Sequence, residues 1–225
     1  MILPIFALAF VPVVPAASQD ETRPFTERFL VEKSELTSTG RNPFFVLEPG
    51  YRLVLEGKGK KAIRLTVTVL DETKVVDGVE TRVVEELETA GDEVIERSRN
   101  YFAISRRTND VFYFGEDTGG AWESGKGGAR FGLMMPGTPL LGARHFQEIA
   151  PGVAMDRAEV VSLSEIFETP SGTFENCLKV AETTPLEPDE REFKIYAPGI
   201  GLVFDGDLRL VSHGRRAIEE GAIPR

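Results

Sequence analysis

A predominantly antiparallel β fold, built as a strongly curved sheet or partly closed barrel of successive hairpins, is what three features of this chain predict. Two-residue turn signals recur at Asp77-Gly78, Gly91-Asp92 and Asn109-Asp110. Glycine supplies the positive φ that a tight hairpin needs, and Asn and Asp tolerate it better than most residues. Between the turns, apolar and polar residues alternate with the period of two expected of half-buried strands, as in Leu65, Val67 and Val69 against Arg64, Thr66 and Thr68. The densest aromatic run and the single tryptophan fall in 100–122, NYFAISRRTNDVFYFGEDTGGAW. The core is expected around that hairpin, with at most one or two short helices elsewhere.

From the N-terminus, residues 1–18 (MILPIFALAFVPVVPAAS) carry no charge and end in small residues, the pattern of a secretory signal cleaved near 16–18. Pro4, Pro12 and Pro15 interrupt so short a stretch that a spanning helix is disfavoured. The mature chain is therefore expected to be exported, periplasmic or extracellular. Residues 19–41 are polar, with Phe25, Phe29 and Leu30 spaced for a short amphipathic helix starting at Pro24, or they form a linker. One β domain is expected over 42–213, followed by a C-terminal tail over 214–225. Cys177 is the only cysteine, so an intramolecular disulfide is impossible and stability rests on packing.

Strands are expected at 51–56, 62–70, 79–89, 93–105 and 111–114, the last apolar on both faces as a central strand is. In 79–89, Val79, Val83 and Leu87 share one face, while Glu80, Arg82, Glu86 and Glu88 lie largely on the other. That charged face reads as a solvated sheet surface. Residues 115–130 are too glycine-rich for a helix and too long for a tight turn, so a surface loop is expected around Trp122. Further strands are expected at 144–149, 158–168, 174–181, 192–197, 201–204 and 208–212.

The formal net charge of −10, from 36 acidic and 26 basic residues, disfavours nucleic acid and anionic lipid surfaces as partners. Two glycine patterns fail as phosphate loops. Gly57-x-Gly59-x-x-Ala62 runs into a strand, not a helix N-terminus, and Gly120-x-x-x-x-Gly125-Lys126 has Gly127 where Ser or Thr must hold magnesium. Hydrolase motifs are absent, and with two histidines a catalytic arrangement would need His145 beside Cys177, or His213 beside a carboxylate. No catalytic residue is assigned, and a non-catalytic binding or envelope-associated module is favoured. Phe112, Phe114, Trp122 and Met134, on a curved aromatic sheet beside a long loop, are the candidate contacts for an apolar small molecule or lipid. The acidic loop and strand ends Glu116, Asp117, Asp156 and Glu187 are the candidate oxygen ligands for calcium, without EF-hand spacing.

Four phrases carry a resemblance: NPFFVLEPGYRLVLEG, NYFAISRRTNDVFYFGEDT, PSGTFENCLKVAETTPLEP and YAPGIGLV. In that order they resemble a family of exported bacterial proteins with no assigned activity, over 42–212. More distantly, the run of long hairpins ending in an Ala-Pro-Gly-x-Gly turn is similar to periplasmic half-barrel domains, including the outer-membrane lipoprotein carriers. That likeness implies a cupped sheet able to hold acyl chains and brings no catalytic residues.

Overall fold

In the computed structural model, residues 23–57, 63–118 and 121–215 are described. The expected signal over 1–18 and most of the expected tail over 214–225 lie outside them. About two thirds of the described residues lie in strands. Three short strands come first, β1 (Leu36–Thr37), β2 (Gly40–Asn42) and β3 (Phe45–Leu47). A first meander follows: β4 (Tyr51–Glu56), β5 (Ile63–Val76), β6 (Val79–Ala90), β7 (Glu93–Ser105) and β8 (Val111–Asp117). Short pieces then connect, β9 (Trp122–Glu123), β10 (Arg130–Met135), β11 (Arg144–Phe146) and β12 (Glu148–Ile149). A second meander ends the described residues: β13 (Arg157–Thr169), β14 (Gly172–Thr184), β15 (Glu187–Ala197), β16 (Gly201–Asp205) and β17 (Leu208–Arg215).

The two meanders join edge to edge where β17 pairs antiparallel with β4, giving one 15-stranded antiparallel sheet that curls almost closed as a barrel. Its two ends meet in a single stretch of chain. β11 pairs with β13 and β12 with β10, with only Gln147 between them. The backbone at this seam runs so close to β10 that a Cβ on Gly132 would stand 2.4 Å from the Gln147 carbonyl oxygen. Closure removes free sheet edges, which otherwise invite pairing with other chains. The hairpin turns obey the local chemistry: Asp77 and Gly78 both adopt positive φ, as do Gly91 and Asn109.

The barrel has a filled end, a wet end and an outer layer. At the filled end the β2–β3 hairpin folds in as a plug. Val46 and Leu47 are buried, Phe45 meets Phe102 edge-on at 5.2 Å, and the Asn42 side chain donates to the Asn109 and Pro136 carbonyls at 2.8 and 3.0 Å. Outside the barrel, residues 23–36 lie as a strap. Phe29, Val31 and Leu36 cover an apolar cluster of Val76, Val79, Val83, Phe112 and Phe114. Thr26 bridges to His145, and the Arg144 and Arg157 guanidinium groups both lie against the Phe25 ring. The amphipathic spacing of this segment therefore serves an extended strap with one 3₁₀ turn at Lys33–Glu35, not a helix from Pro24. Its apolar side chains gain more by covering the sheet than a short isolated helix would gain in water.

Two further expectations change. The stretch around Trp122 is a compact return of the chain: β9 pairs with β8, Trp122 is buried, and a Cβ on Gly115 would stand 2.6 Å from the Trp122 carbonyl oxygen. The charged face of β6 points inward at its second half. Val84, Glu86 and Glu88 lie on one row, Val84 in the core and both glutamates on the wall of an internal cavity. Among the described residues no helix is long and apolar enough to cross a membrane.

Candidate functional site

Along several strands the inward-facing row changes from apolar to polar at a common height. On β7 it runs Ile104, Phe102, Asn100, Ser98, Glu96; on β6, Val84, Glu86, Glu88; on β14, Leu178, Val180, Glu182. Period-two alternation keeps each row on one side of the sheet, so the change divides the interior into two chambers. The polar chamber has a volume of about 250 Å³ and is walled by Glu86, Glu88, Glu96, Asn100, Tyr113, Glu116, Gln147, Glu148, Asp156, Glu182 and Lys194. Beneath it an apolar chamber of about 70 Å³ is formed by Phe45, Leu53, Val67, Val69, Val84, Tyr196, Ile200 and Leu202. Glu86, Met134 and Lys194 line both, so they mark the junction. An open depression outside the polar chamber is lined by Glu187, Glu190 and Glu192 and shares Asp156, Glu182 and Lys194 with it.

A bulge in β8 aims Glu116 inward. Tyr101 pairs with Gly115 and Phe102 with Tyr113, so the register skips a residue between them. Tyr113 and Glu116, three apart, thereby share the inner face, which unbroken alternation would forbid. The Tyr113 hydroxyl donates to Asn100 Oδ1 at 2.6 Å and lies 3.2 Å from Glu116 Oε2, and the Asn100 amide donates to Ser98 Oγ at 3.2 Å. Across the chamber Gln147 donates to Glu182 Oε1 at 2.8 Å, and Lys194 Nζ sits 2.9 Å from Glu182 Oε2 and 3.7 Å from Asp205. Glu148 accepts the Asp156 backbone N–H at 2.8 Å.

Negative charge here is under-compensated. Burial pushes the Glu86 carboxyl up to about 7; Lys194 opposes this, and Asp205, Glu116 and Glu182 add to it. The Glu86 carboxyl forms no hydrogen bond or ion pair among the described residues; the side chain is half-buried and lines both chambers. Burial likewise raises Glu148, reinforced by neighbouring Asp156, and raises Asp156, Glu116 and Asp205 against their hydrogen bonds and against Lys194 where it is near. Burial alone would lower Lys194, but Glu182 and Asp205 outweigh it and hold the ammonium well above the usual lysine range. At the rim, Glu88 stands directly across from Glu96, and Glu182 across from Glu192. Like charges in facing positions destabilise a sheet.

The residues singled out from sequence fall in different places. Met134 lines both chambers. Phe112 and Phe114 lie on the opposite face of the sheet, packed against Phe131 at 5.7 and 4.7 Å beneath the strap. Trp122 is buried with Ala129 and Ala150 and meets the back of Tyr113 at 5.2 Å. Of the acidic set, Glu116 and Asp156 share the polar chamber, Glu187 lies outside it beside Asp156, and Asp117 is exposed on the other side of β8. Among the described residues, no three His, Cys, Asp or Glu side chains are placed to hold a metal ion. Glu86, Glu148, Glu182 and Lys194 escaped sequence reasoning. The usable signal was the abrupt apolar-to-acidic change within one period-two row.

Neither histidine arrangement is assembled. His145 pairs with Ala158, which pairs with Glu182, and Cys177 lies five residues farther along β14, roughly 16 Å of strand. His145 is buried with Nε2 unbonded, and burial depresses its pKa to about 4 despite Glu182 and Asp110. His213 is exposed, edge-on to Phe174 at 6.3 Å, in a groove lined by Arg52 and Arg215. No protein-family model, curated protein or solved structure matches the chain.

Proposed function

We propose that this chain is an exported, non-catalytic binding module that takes a small molecule into its barrel. The observation that carries the reading is the two-chamber interior: a polar space of about 250 Å³ that shares Glu86, Met134 and Lys194 with an apolar one of about 70 Å³. Pockets that hold small molecules combine an apolar lining with a few converging polar groups. Met134, at the junction, supplies a deformable apolar wall. The polar chamber corresponds to roughly eight waters at liquid density. That capacity suits one compact ligand with a short apolar part, and it is small for the several acyl chains that a cupped carrier sheet would hold.

Export rests on the uncharged 1–18 segment and on the resemblance carried by the four phrases above. Native mass spectrometry of gently purified full-length protein, followed by denaturing extraction, tests the binding reading. The expected result is a mass increment that leaves on denaturation. A protein that shows no increment, and whose single-tryptophan fluorescence does not respond to small amphiphiles, refutes it. Trp122 is suited to that readout because its ring touches Tyr113 on the chamber wall.

A further inference from the structure

We infer that the molecule held in the barrel is an organic cation, an alkylammonium whose charged end lies among Glu86, Glu116 and Glu182 and whose apolar end enters the chamber of Phe45, Val67 and Ile200. The inference rests on the binding reading and adds the ligand's chemical class.

Three independent features carry it. The half-buried Glu86 side chain lies at the junction of the chambers, and its carboxyl makes no hydrogen bond or ion pair among the described residues. A carboxylate withdrawn from much of its water is costly unless a partner is supplied. Among the described residues the only lysine or arginine on the chamber walls is Lys194, and it is already engaged by Glu182 and Asp205, so among them an anionic ligand would meet carboxylates without a free cation. The adjoining surface is acidic as well. Glu187, Glu190 and Glu192 line the outer depression, which shares Asp156, Glu182 and Lys194 with the chamber, and the hydrogen bond and charge of Glu187 raise the pKa of Glu190. A surface of one sign raises the local concentration of the opposite ion.

The cation is organic and not a bare metal for a geometric reason. Calcium gathers six to eight oxygens at ~2.3–2.6 Å from one point. Here the carboxylates are spread around the wall of a chamber, and among the described residues no three of them are placed to hold a metal ion. An ammonium group needs only two or three acceptors, and its alkyl chain accounts for the apolar chamber that a metal would leave unused.

The test uses the full chain at pH 8 with four probes: n-hexylamine hydrochloride, n-hexanol, sodium hexanoate and calcium chloride, read by calorimetry and by Trp122 fluorescence. Hexylammonium is expected to bind tightest. Glu86→Gln, with its fold checked by circular dichroism, is expected to weaken hexylammonium roughly tenfold to a hundredfold, as for loss of a charge-assisted hydrogen bond, and to leave hexanol nearly unchanged. Should that variant fail to fold, Glu116→Gln, on a different strand, carries the same expectation. Hexanol or hexanoate binding as tightly as the amine overturns the cation inference while leaving the binding module standing. Binding of calcium alone, an unchanged amine affinity in the variants, or no binding of any probe overturns the inference too. In that last case the module itself is judged by the co-purified mass.

Discussion

Replacing Glu86 by Gln removes one ionisable group from the chamber and keeps its shape. The groups that face it are Glu116 on β8, Glu182 on β14, Lys194 on β15 and Asp205 on β16, with Ser98 opposite it on β7 and Val67 on β5. In the folded chain the Glu86 carboxyl titrates near 7, against an ordinary value of 4.5. Between those values the folded state holds a proton that the unfolded state has released, so stability falls as pH rises. The stabilisation is complete below 4.5 and is lost once the pH passes the folded value. A displacement of roughly 2.5 units at ~1.36 kcal/mol per unit makes the loss about 3 kcal/mol. Lys194 does not depend on Glu86 for its charge balance, because Glu182 and Asp205 lie closer. Glu86→Gln should therefore match the parent at pH 4.5 and exceed it by about 3 kcal/mol at pH 8, or roughly 6–12 °C in Tm for a chain of this size. Paired urea and thermal melts at the two pH values read the difference directly. An equal difference at both, or a variant weaker than the parent at pH 8, would show that the carboxyl is not confined as the barrel geometry requires.

His145 stays neutral in the fold down to about 4 while the unfolded chain protonates near 6.5, so the parent should lose up to about 3 kcal/mol on acidification across that window, and His145→Gln should flatten the limb in urea midpoints at pH 7 and 4. An unchanged slope would sink that assignment. Gly132→Ala drives a methyl into the Gln147 carbonyl at the seam and should cost about 3 kcal/mol by denaturant melt; a neutral result would mean that the seam yields easily. Phe114→Ala should cost about 3–5 kcal/mol, since the ring is fully buried and stacked on Phe131. The gentler Phe114→Leu should leave hexylammonium affinity within about twofold, because Phe114 lies on the outer face; a larger drop would return this residue to the ligand site.

Strand identity was legible because alternation and turn chemistry are local. The expected 51–56 and 93–105 coincide with β4 and β7, and Asp77-Gly78 turns the chain as its residues require. Such signals need only neighbouring residues, since backbone conformational preference and side-chain period are properties of short segments. The inner or outer sense of a row is different. Glu86 and Glu88 alternate with Val83 and Leu87 as a solvated face would, and nothing within β6 says that the polar side meets other strands instead of water. Phe112 and Phe114 mislead in the opposite way, because the strap from 23–36 that buries them on the outside comes from the far end of the sequence. The β8 bulge that turns Glu116 inward depends on its register against β7, a property of the pair and not of either strand. By itself, then, the sequence determined that this chain folds as antiparallel hairpins. Tertiary structure alone decided which face closes inward, because closure joins β17 to β4 and β10 to β13 through one short seam, and the environment of each side chain is set by strands distant in sequence.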